Sequence, residues 1–220
     1  MNRVLSWFCK IFLKPIVDKI LIKEAKGIEN LPKTNFILAA NHQSHLDQIT
    51  AGYVCVPRKF TFLGQIDKYS GLEAFLRNLL YVVAGVIPVH RLNEESKKRA
   101  VEKAIARVKK GEILVIYPEG TRSKDGRVHE GRPGVAKIYL KTGVPILPVA
   151  FKGNFDLLPV GKSFPKIKRI VKINIGKPLE FKEDLEKTKN LDCFSKAYKE
   201  ISQKITKTVM EKITQLFNQI

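Results

Sequence analysis

The stretch FILAANHQSHLD, from Phe36 to Asp47, changes character halfway along its length. Its first five residues are apolar and predict a buried strand, Phe36–Ala40. The polar residues that follow predict a turn, and Ser44 with Asp47 three residues later matches the capping box at the start of a helix. A buried strand that leads through a polar turn into a helix is typical of layered α/β proteins, whose functional groups lie in such turns.

The same alternation of apolar runs and helical patterns continues along the chain. Four more apolar runs predict strands at Phe60–Leu63, Ile113–Tyr117, Pro145–Ala150 and Ile170–Ile175. Helical spacing of apolar residues predicts helices after Ser44 and over Glu94–Lys110 (capped by Asn93), Pro133–Thr142 and Cys193–Phe217. We therefore expect a single α/β domain, residues 25–220, in which helices flank a mixed central sheet.

Composition supports a globular protein with a strongly basic surface. The chain has 220 residues, 44% of them hydrophobic, which is enough to bury one core. Its 40 Lys and Arg against 21 Asp and Glu give a net charge of +19, which attracts nucleic acid, anionic lipid or acidic proteins. Three cysteines without a CxxC pair argue against a disulfide framework and against a thiolate metal site.

The first 24 residues carry two amphipathic helical patterns. Polar and basic residues share one helical stripe, and the large apolar side chains lie elsewhere: Val4, Trp7, Phe8, Ile11 and Phe12. Pro15 is expected to break or kink the segment. These helices could pack on the domain, but basic residues beside an exposed Trp-Phe face favour a membrane-association segment that lies in the lipid interface.

The sequence predicts neither a membrane span nor a signal peptide. The most apolar interior stretch, Leu79–Val89, is shorter than the ~18 residues that a span needs. Lys10 and Lys14 interrupt the apolar start of the chain, and no cleavage pattern follows them. The N-terminal segment is therefore expected to bind a membrane without crossing it.

Two histidines and an aspartate in the opening stretch allow three interpretations. A helix cap explains Ser44 and Asp47 but leaves His42 unused. A metal site built from His42, His45 and Asp47 is disfavoured, because three ligands so close together rarely surround one zinc ion. An acid–base pair is the third: an ionised Asp47 at the helix start would fix the imidazole tautomer of His42 and stabilise its protonated form. This pair is compatible with the cap.

Three other segments carry candidate binding residues. Pro118–Ser123 follows a predicted buried strand, and its glycine lets the backbone approach a ligand while Arg122 offers a fork suited to phosphate. An ordinary turn with a surface arginine is the alternative. Gly85–Arg91 ends an apolar run with a basic pair, and the two prolines of Val144–Val149 indicate an edge or irregular strand.

Taken in order, these segments resemble the four sequence blocks of the glycerolipid acyltransferases. Asn41-His42 with Asp47, Gly85–Arg91, Tyr117–Ser123 and Val144–Val149 make the chain similar to the bacterial 1-acylglycerol-3-phosphate acyltransferase family over Gly27–Leu179. One departure is His90, where many relatives carry Asp or Asn. The resemblance implies a catalytic dyad of His42 and Asp47. It also implies a site for glycerol phosphate formed by Arg91, Glu119, Gly120, Thr121 and Arg122.

The resemblance also implies an activity and its partners. We expect transfer of a fatty acyl chain from acyl-CoA or acyl carrier protein to the free hydroxyl of lysophosphatidic acid, which gives phosphatidic acid. Another lysophospholipid acceptor, such as lysophosphatidylethanolamine, is the alternative. No metal or cofactor is expected besides the acyl donor. The expected location is the cytoplasmic face of the cell membrane, with peripheral or monotopic attachment to its anionic surface.

A basic nucleic-acid-binding domain is the rival from another class. The net charge of +19 suggests it, and Gly131–Gly134 matches the GxxG of a KH loop. A KH loop joins two helices, whereas this tetrapeptide follows a polar, turn-rich loop. Basic residues are not interleaved with aromatic ones as in a base-stacking platform. We therefore expect no nucleic-acid partner.

Overall fold

The computed structural model describes residues 3–65, 85–90, 93–162 and 164–220. Within these ranges the strands of the sheet are β1 Ile22–Lys26, β2 Ile37–Ala40, β3 Phe60–Gln65, β4 Ile87–Val89, β5 Ile113–Ile116, β6 Ile146–Lys152 and β7 Val171–Ile175. The helices are α1 Arg3–Phe8, α2 Lys14–Ile20, α3 Asp47–Cys55, α4 Glu94–Lys109, α5 Gly134–Thr142, α6 Asn154–Leu157, α7 Lys182–Thr188 and α8 Lys196–Asn218.

The sheet is mixed, and its middle strand leads into the opening stretch. The strand order is β1-β7-β6-β2-β5-β3-β4. β2 lies between β5 and β6 and runs parallel to both, whereas β7 is antiparallel to β6. Every residue of β2 and β5 is buried, because helices cover both faces of a central parallel strand. The carboxyl ends of β2, β5 and β6 consequently meet at one edge, where ligands bind in open α/β sheets.

Alternate residues of each central strand enter different cores. Leu38 and Val115 pack on the face covered by α3 and the N-terminal helices. Ile37 and Leu114 pack on the opposite face, covered by α4, α5 and α8. The long helix α8 is amphipathic, and its fully buried apolar residues lie at helical spacing: Ile205, Val209 and Ile213. Two covered faces hold the central strands rigidly under the loops that follow them.

The predicted single α/β domain with a mixed sheet flanked by helices is confirmed. The five predicted strands are all present, with ends that differ by at most two residues. Asn93 caps α4 as predicted, since its Oδ1 accepts a hydrogen bond from the Ser96 amide at 2.8 Å. The last helix begins at Lys196, after the predicted start at Cys193, because Ser195 Oγ accepts from the Tyr198 amide at 3.2 Å.

The sequence patterns missed the first strand. β1 pairs with β7 at one edge of the sheet, and its first residue, Ile22, lies within the predicted membrane-association segment of residues 1–24. Three charged residues occupy this short strand: Lys23, Glu24 and Lys26. An edge strand tolerates them because only one of its sides is paired, but they hide the apolar pattern that would identify it.

Residues 3–20 are helical, with a stretch of π-helix in the middle. The π-helical stretch, Cys9–Leu13, ends two residues before Pro15. Of the two outcomes predicted at Pro15, a break or a kink, the break does not occur: the helix continues, because proline lies in the first turn of α2. Contacts hold the segment to the domain, since Ser6 Oγ donates to the Arg58 carbonyl at 3.0 Å and Tyr53 OH donates to Asp18 Oδ1 at 2.7 Å.

The face of the N-terminal helices that points away from the domain is apolar and exposed. The exposed large side chains are Val4, Trp7, Phe8, Ile11, Phe12, Leu13, Ile16 and Ile20. None of the helices in the described ranges is both long and apolar enough to span a bilayer.

Candidate active site

The candidate site lies where three parallel strands end. The turn after β2 begins with Asn41, whose side-chain amide pairs with both backbone groups of Phe151 in β6, each at 2.8 Å. This pairing continues the sheet by one residue and ties the turn to β6. The loop after β5 is tied to the same turn, because the Ser123 amide donates to the His42 carbonyl at 2.7 Å. The turn is thus held on both sides.

Asp47 is a buried carboxylate that accepts four hydrogen bonds. Its Oδ2 accepts from His42 Nδ1 at 2.7 Å and from the amides of Gln43 at 2.6 Å and Ser44 at 2.8 Å. Its Oδ1 accepts from Asn154 Nδ2 at 2.7 Å. A carboxylate can only accept hydrogen bonds, and each of the four partners presents a donor to it. Asp47 therefore serves the turn and contacts the imidazole at the same time.

The helix begins later than the capping-box pattern predicts. α3 starts at Asp47 itself, and Ser44 Oγ accepts from the Leu46 amide at 3.2 Å while donating to the Leu158 carbonyl at 2.8 Å. Only half of the capping box forms, namely the bond from the Ser44 amide to Asp47. His42 consequently lies outside the helix, where its ring can turn towards the carboxylate.

The His42 ring is held on one edge and one face. Because the Asp47 carboxylate accepts from Nδ1, that nitrogen carries the proton and Nε2 has the free lone pair. The ring stacks on Tyr117, with centroids 4.2 Å apart and planes 12° apart. The side chain is 12% exposed. Within the described part of the chain nothing hydrogen-bonds to Nε2, so this nitrogen can accept a proton from a bound molecule.

Asn154 is a member of the site that sequence patterns did not identify. Its Nδ2 also contacts Thr50 Oγ1 at 3.0 Å, so the side chain links Asp47 to the next turn of α3. Gly153 positions it with a φ of 96°, and a Cβ there would lie 2.8 Å from the Ile170 carbonyl oxygen. The only signal in the sequence is a Gly-Asn pair after a buried strand, which is also typical of an ordinary turn.

Glu119 joins the two loops of the site through its carboxylate. Oε1 accepts from the His42 amide at 2.8 Å, and Oε2 accepts from the His129 amide at 3.3 Å. The residue is 4% exposed. Burial raises the pKa of Glu119 to about 7, although the two amide hydrogen bonds oppose the shift. Each carboxylate oxygen of Glu119 thus contacts backbone of this protein.

The remaining predicted binding residues lie near Glu119 in the loop after β5. Gly120 has a φ of 70°, and a Cβ there would lie 3.1 Å from Cδ of Arg132. Thr121 is exposed. Arg122 is half-buried, directly precedes the Ser123 amide that contacts His42, and forms no ion pair with any described residue. Arg91, the fifth predicted binding residue, lies outside the described residues.

The metal interpretation of the opening stretch has no further support. His45 is exposed, whereas His42 and Asp47 bond directly to each other. Over the ranges that the structure describes, no group of three or more His, Cys, Asp or Glu side chains could hold a metal ion.

The structure is thus a layered α/β protein with a hydrogen-bonded histidine–aspartate pair, a candidate acid–base pair, at the carboxyl edge of its mixed sheet. The model of the Acyltransferase family matches residues 23–152, which include both members of the pair. The chain belongs to the Acyltransferase family, since the match covers more than half of it.

Individual relatives agree with the family match. The chain is 33% identical over 162 residues to a chloroplastic 1-acyl-sn-glycerol-3-phosphate acyltransferase of Brassica napus, covering 71% of this chain and 44% of the relative. It is 37% identical over 124 residues to the 1-acyl-sn-glycerol-3-phosphate acyltransferase of Borreliella burgdorferi, covering 56% and 48%. The chain thus spans less than half the length of these relatives.

A solved structure has the same fold. The crystal structure of the 1-acyl-sn-glycerophosphate acyltransferase of Thermotoga maritima superposes with a TM-score of 0.59 at 27% sequence identity. The superposition covers 86% of this chain and 71% of that protein. The α/β architecture is therefore shared between the two proteins.

Proposed function

We propose that this protein transfers a fatty acyl chain from an acyl thioester to the free hydroxyl of lysophosphatidic acid, giving phosphatidic acid. The acyl donor is acyl-CoA or acyl carrier protein. One observation carries the proposal: the 2.7 Å hydrogen bond from His42 Nδ1 to Asp47, which leaves Nε2 as the proton acceptor. Family membership and the printed names of the relatives support the choice of reaction.

In the proposed reaction, His42 acts as a general base. Its Nε2 removes the proton from the acceptor hydroxyl, and the oxygen attacks the thioester carbonyl. The tetrahedral intermediate collapses, the C–S bond breaks, and the leaving thiolate takes the proton back from the imidazolium. Asp47 stabilises that imidazolium and keeps the ring in its tautomer. The acyl group passes directly to the substrate, so no acyl-enzyme forms.

The acceptor phosphate is proposed to bind at the loop after β5 together with Arg91. Arg122 supports this because its planar guanidinium, which forms no ion pair with the residues that the structure describes, can donate two hydrogen bonds to phosphate. Gly120 supports it because its lack of a side chain leaves backbone accessible. The family resemblance also assigns Thr121 and Glu119 to this site. The contacts of Glu119 support a positioning role: it holds the loops of His42 and His129 together.

Membrane attachment is proposed through the N-terminal segment, residues 1–24. Its exposed apolar side chains support this, and so do the basic residues beside them, including Lys10 over the Trp7 ring at 4.8 Å. The lysophospholipid acceptor resides in the membrane, so attachment places the enzyme beside its substrate. An anionic cytoplasmic surface fits the net charge of +19.

The reaction is tested directly with purified full-length protein. Acyl-CoA or acyl carrier protein charged with one fatty acid is mixed with lysophosphatidic acid in vesicles, and the diacyl product is measured by mass spectrometry. Lysophosphatidylethanolamine replaces lysophosphatidic acid in a parallel reaction. We expect phosphatidic acid to form faster than the other product. Preferential acylation of lysophosphatidylethanolamine would contradict the acceptor, and no product from either would contradict the reaction.

Arg122→Ala should weaken binding of the acceptor. Loss of a charge-assisted contact to phosphate is expected to raise the KM for lysophosphatidic acid by roughly 10- to 100-fold, with a smaller effect on the KM for the acyl donor. Steady-state kinetics with each substrate varied in turn check this. Arg107→Ala is the control, because Arg107 lies on α4 and already pairs with Glu112. An unchanged KM for lysophosphatidic acid would show that Arg122 does not bind the acceptor phosphate.

Glu119→Gln should change how stability depends on pH. Because the folded-state pKa of Glu119 is raised from 4.5 to about 7, folding favours its protonated form. The stability that this group contributes is present below pH 4.5 and is lost as pH rises through 7. Relative to the glutamine variant, the wild type should lose roughly 3 kcal/mol of unfolding free energy over that range. Urea unfolding of both proteins across this pH range measures the difference, and parallel curves would contradict the shift.

A further inference from the structure

A loop outside the candidate site exposes large apolar side chains. The loop between α6 and β7, called here the Phe164 loop, begins at Leu158 and ends at Arg169. Its exposed residues include Val160, Lys162, Phe164, Pro165, Lys166, Ile167, Lys168 and Arg169. Phe164 is 88% exposed and Ile167 is 71% exposed, and neither side chain takes part in the contacts described above for the candidate site. Two such side chains three residues apart need a partner, because their hydration is unfavourable.

The charge of the loop indicates what kind of partner. From residue 157 to residue 179 the chain has six basic residues and no acidic one. Four of the six belong to the Phe164 loop, and all four are exposed: Lys162, Lys166, Lys168 and Arg169. Basic side chains alternating with an aromatic and an aliphatic residue match an anionic lipid surface, where the charges meet headgroups and the apolar groups enter the acyl boundary.

The position of the loop agrees with this partner. At its start, the Leu158 carbonyl accepts from Ser44 Oγ at 2.8 Å, in the turn that carries His42. At its end, Arg169 Nε donates to the Ile22 carbonyl at 2.7 Å, just after the N-terminal helices. The Phe164 loop therefore runs from the candidate active site to the C-terminal end of the proposed membrane-association segment.

Packing and hydrogen bonds hold both ends of the Phe164 loop to the domain. Leu157 and Leu158 are buried in the core beneath α3, and the Lys166 amide donates to the Leu157 carbonyl at 2.8 Å. The Arg169 bond holds the other end against β1. Such a clamped loop can insert into lipid at little additional cost in backbone conformational entropy.

We propose that the Phe164 loop is a second membrane-contact element, which inserts Phe164 and Ile167 into an anionic lipid surface beside the candidate active site. It deepens the proposed function and rests on it for the membrane-borne substrate. An acidic carrier protein could bind the lysines of the loop, but Phe164 would stay exposed to water unless the carrier protein offered an apolar pocket. A lipid surface satisfies both features of the loop.

Fluorescence provides the direct test, because Trp7 is the single tryptophan of the chain. In the full-length protein, Trp7→Phe is combined with Phe164→Trp, and emission is recorded with phosphatidylglycerol/phosphatidylcholine vesicles and with phosphatidylcholine alone. We expect a blue shift on the anionic vesicles. Trp7→Phe with Phe194→Trp is the matched control, since Phe194 is 70% exposed but precedes α8. Its emission should not shift. An unshifted Trp at position 164 on anionic vesicles, whether or not the protein binds them, would overturn the proposal.

Vesicle sedimentation measures the contribution to binding. Phe164→Ser with Ile167→Ser should weaken partitioning onto anionic vesicles about tenfold or more, whereas Phe194→Ser should leave it unchanged. Equal partitioning of the double variant and the wild type would overturn the proposal. The acyl-transfer assay separates the two hypotheses. A blue shift without formation of phosphatidic acid would contradict only the proposed reaction. Formation of phosphatidic acid without a blue shift would contradict only the proposal for the loop.

Discussion

Replacing His42 with alanine should lower kcat for acyl transfer by about 10²–10⁴-fold. The variant loses the Nε2 that removes the hydroxyl proton, while the groups proposed to bind phosphate remain. The KM for lysophosphatidic acid should therefore change little. Single-turnover and steady-state measurements with acyl-CoA and lysophosphatidic acid check both quantities. Circular dichroism and urea unfolding show whether the fold persists.

His45→Ala is the matched control for this experiment. His45 lies in the same turn, three residues further along, but it is exposed, whereas the His42 ring stacks on Tyr117. The control should stay within about threefold of wild-type kcat, as expected for a surface substitution. Wild-type turnover in His42→Ala would end the dyad proposal. A large loss in His45→Ala instead would move the base to the exposed histidine.

Asp47→Asn should have an effect of similar size on kcat, about 10²–10⁴-fold. An amide in place of the carboxylate carries an NH₂ group. In the wild type, both oxygens of Asp47 accept from donors. If the NH₂ group takes the place of Oδ2, it faces His42 and two backbone amides, and if it takes the place of Oδ1, it faces Asn154 Nδ2. At least one buried donor is then opposed by another donor, so the unfolding free energy should also fall by roughly 1–3 kcal/mol. Kinetics and urea unfolding of the same preparation measure the two effects.

A double variant separates catalysis from stability. If His42 and Asp47 act as one unit, His42→Ala with Asp47→Asn should have about the same kcat as His42→Ala alone. The loss of stability from Asp47→Asn should nevertheless remain in the double variant, because in either orientation the NH₂ group of residue 47 still faces a buried donor, namely the amides of Gln43 and Ser44 or Asn154 Nδ2. Multiplicative losses in kcat would show that Asp47 does not act through His42.

The membrane contacts proposed for the N-terminal segment and the Phe164 loop bear on how substrate reaches this pair. Both elements adjoin β1, and the loop starts at the residue that Ser44 contacts. A lysophospholipid whose headgroup lies at the interface could then present its hydroxyl to His42 without leaving the membrane. Acyl transfer at a membrane surface requires the catalytic turn to lie near that surface.

Much of the fold follows from local sequence patterns. The buried strands β2, β5 and β6 are continuous apolar runs, and α4 has an asparagine cap and a glycine after its end. Strand β1 was missed because three of its five residues are charged, and the helix after β2 starts two residues later than its capping pattern predicts. Such errors fall at sheet edges and helix ends, where tertiary contacts outweigh local preference.

The spacing of five residues was short enough for the sequence to place His42 and Asp47 in one turn, but it left a cap, a metal site and an acid–base pair open. The family resemblance then implied the pair. The sequence did not predict the groups that hold the pair. Asn154 is 107 residues from Asp47, and Glu119 is 77 residues from His42. No local pattern distinguishes either side chain from an ordinary polar residue after a strand.

The amino-acid sequence by itself thus determined the α/β class, the strand–turn–helix unit and the nearness of His42 to Asp47, because each depends on neighbours within a few residues. Only the tertiary structure decided that Nε2 of His42 is the nitrogen left without the Asp47 hydrogen bond. It also decided which amides donate to Glu119, and that the Asn154 side chain donates to Asp47. Those features depend on strands β2, β5 and β6 ending side by side, and the register that aligns them is set by packing on both faces of the sheet.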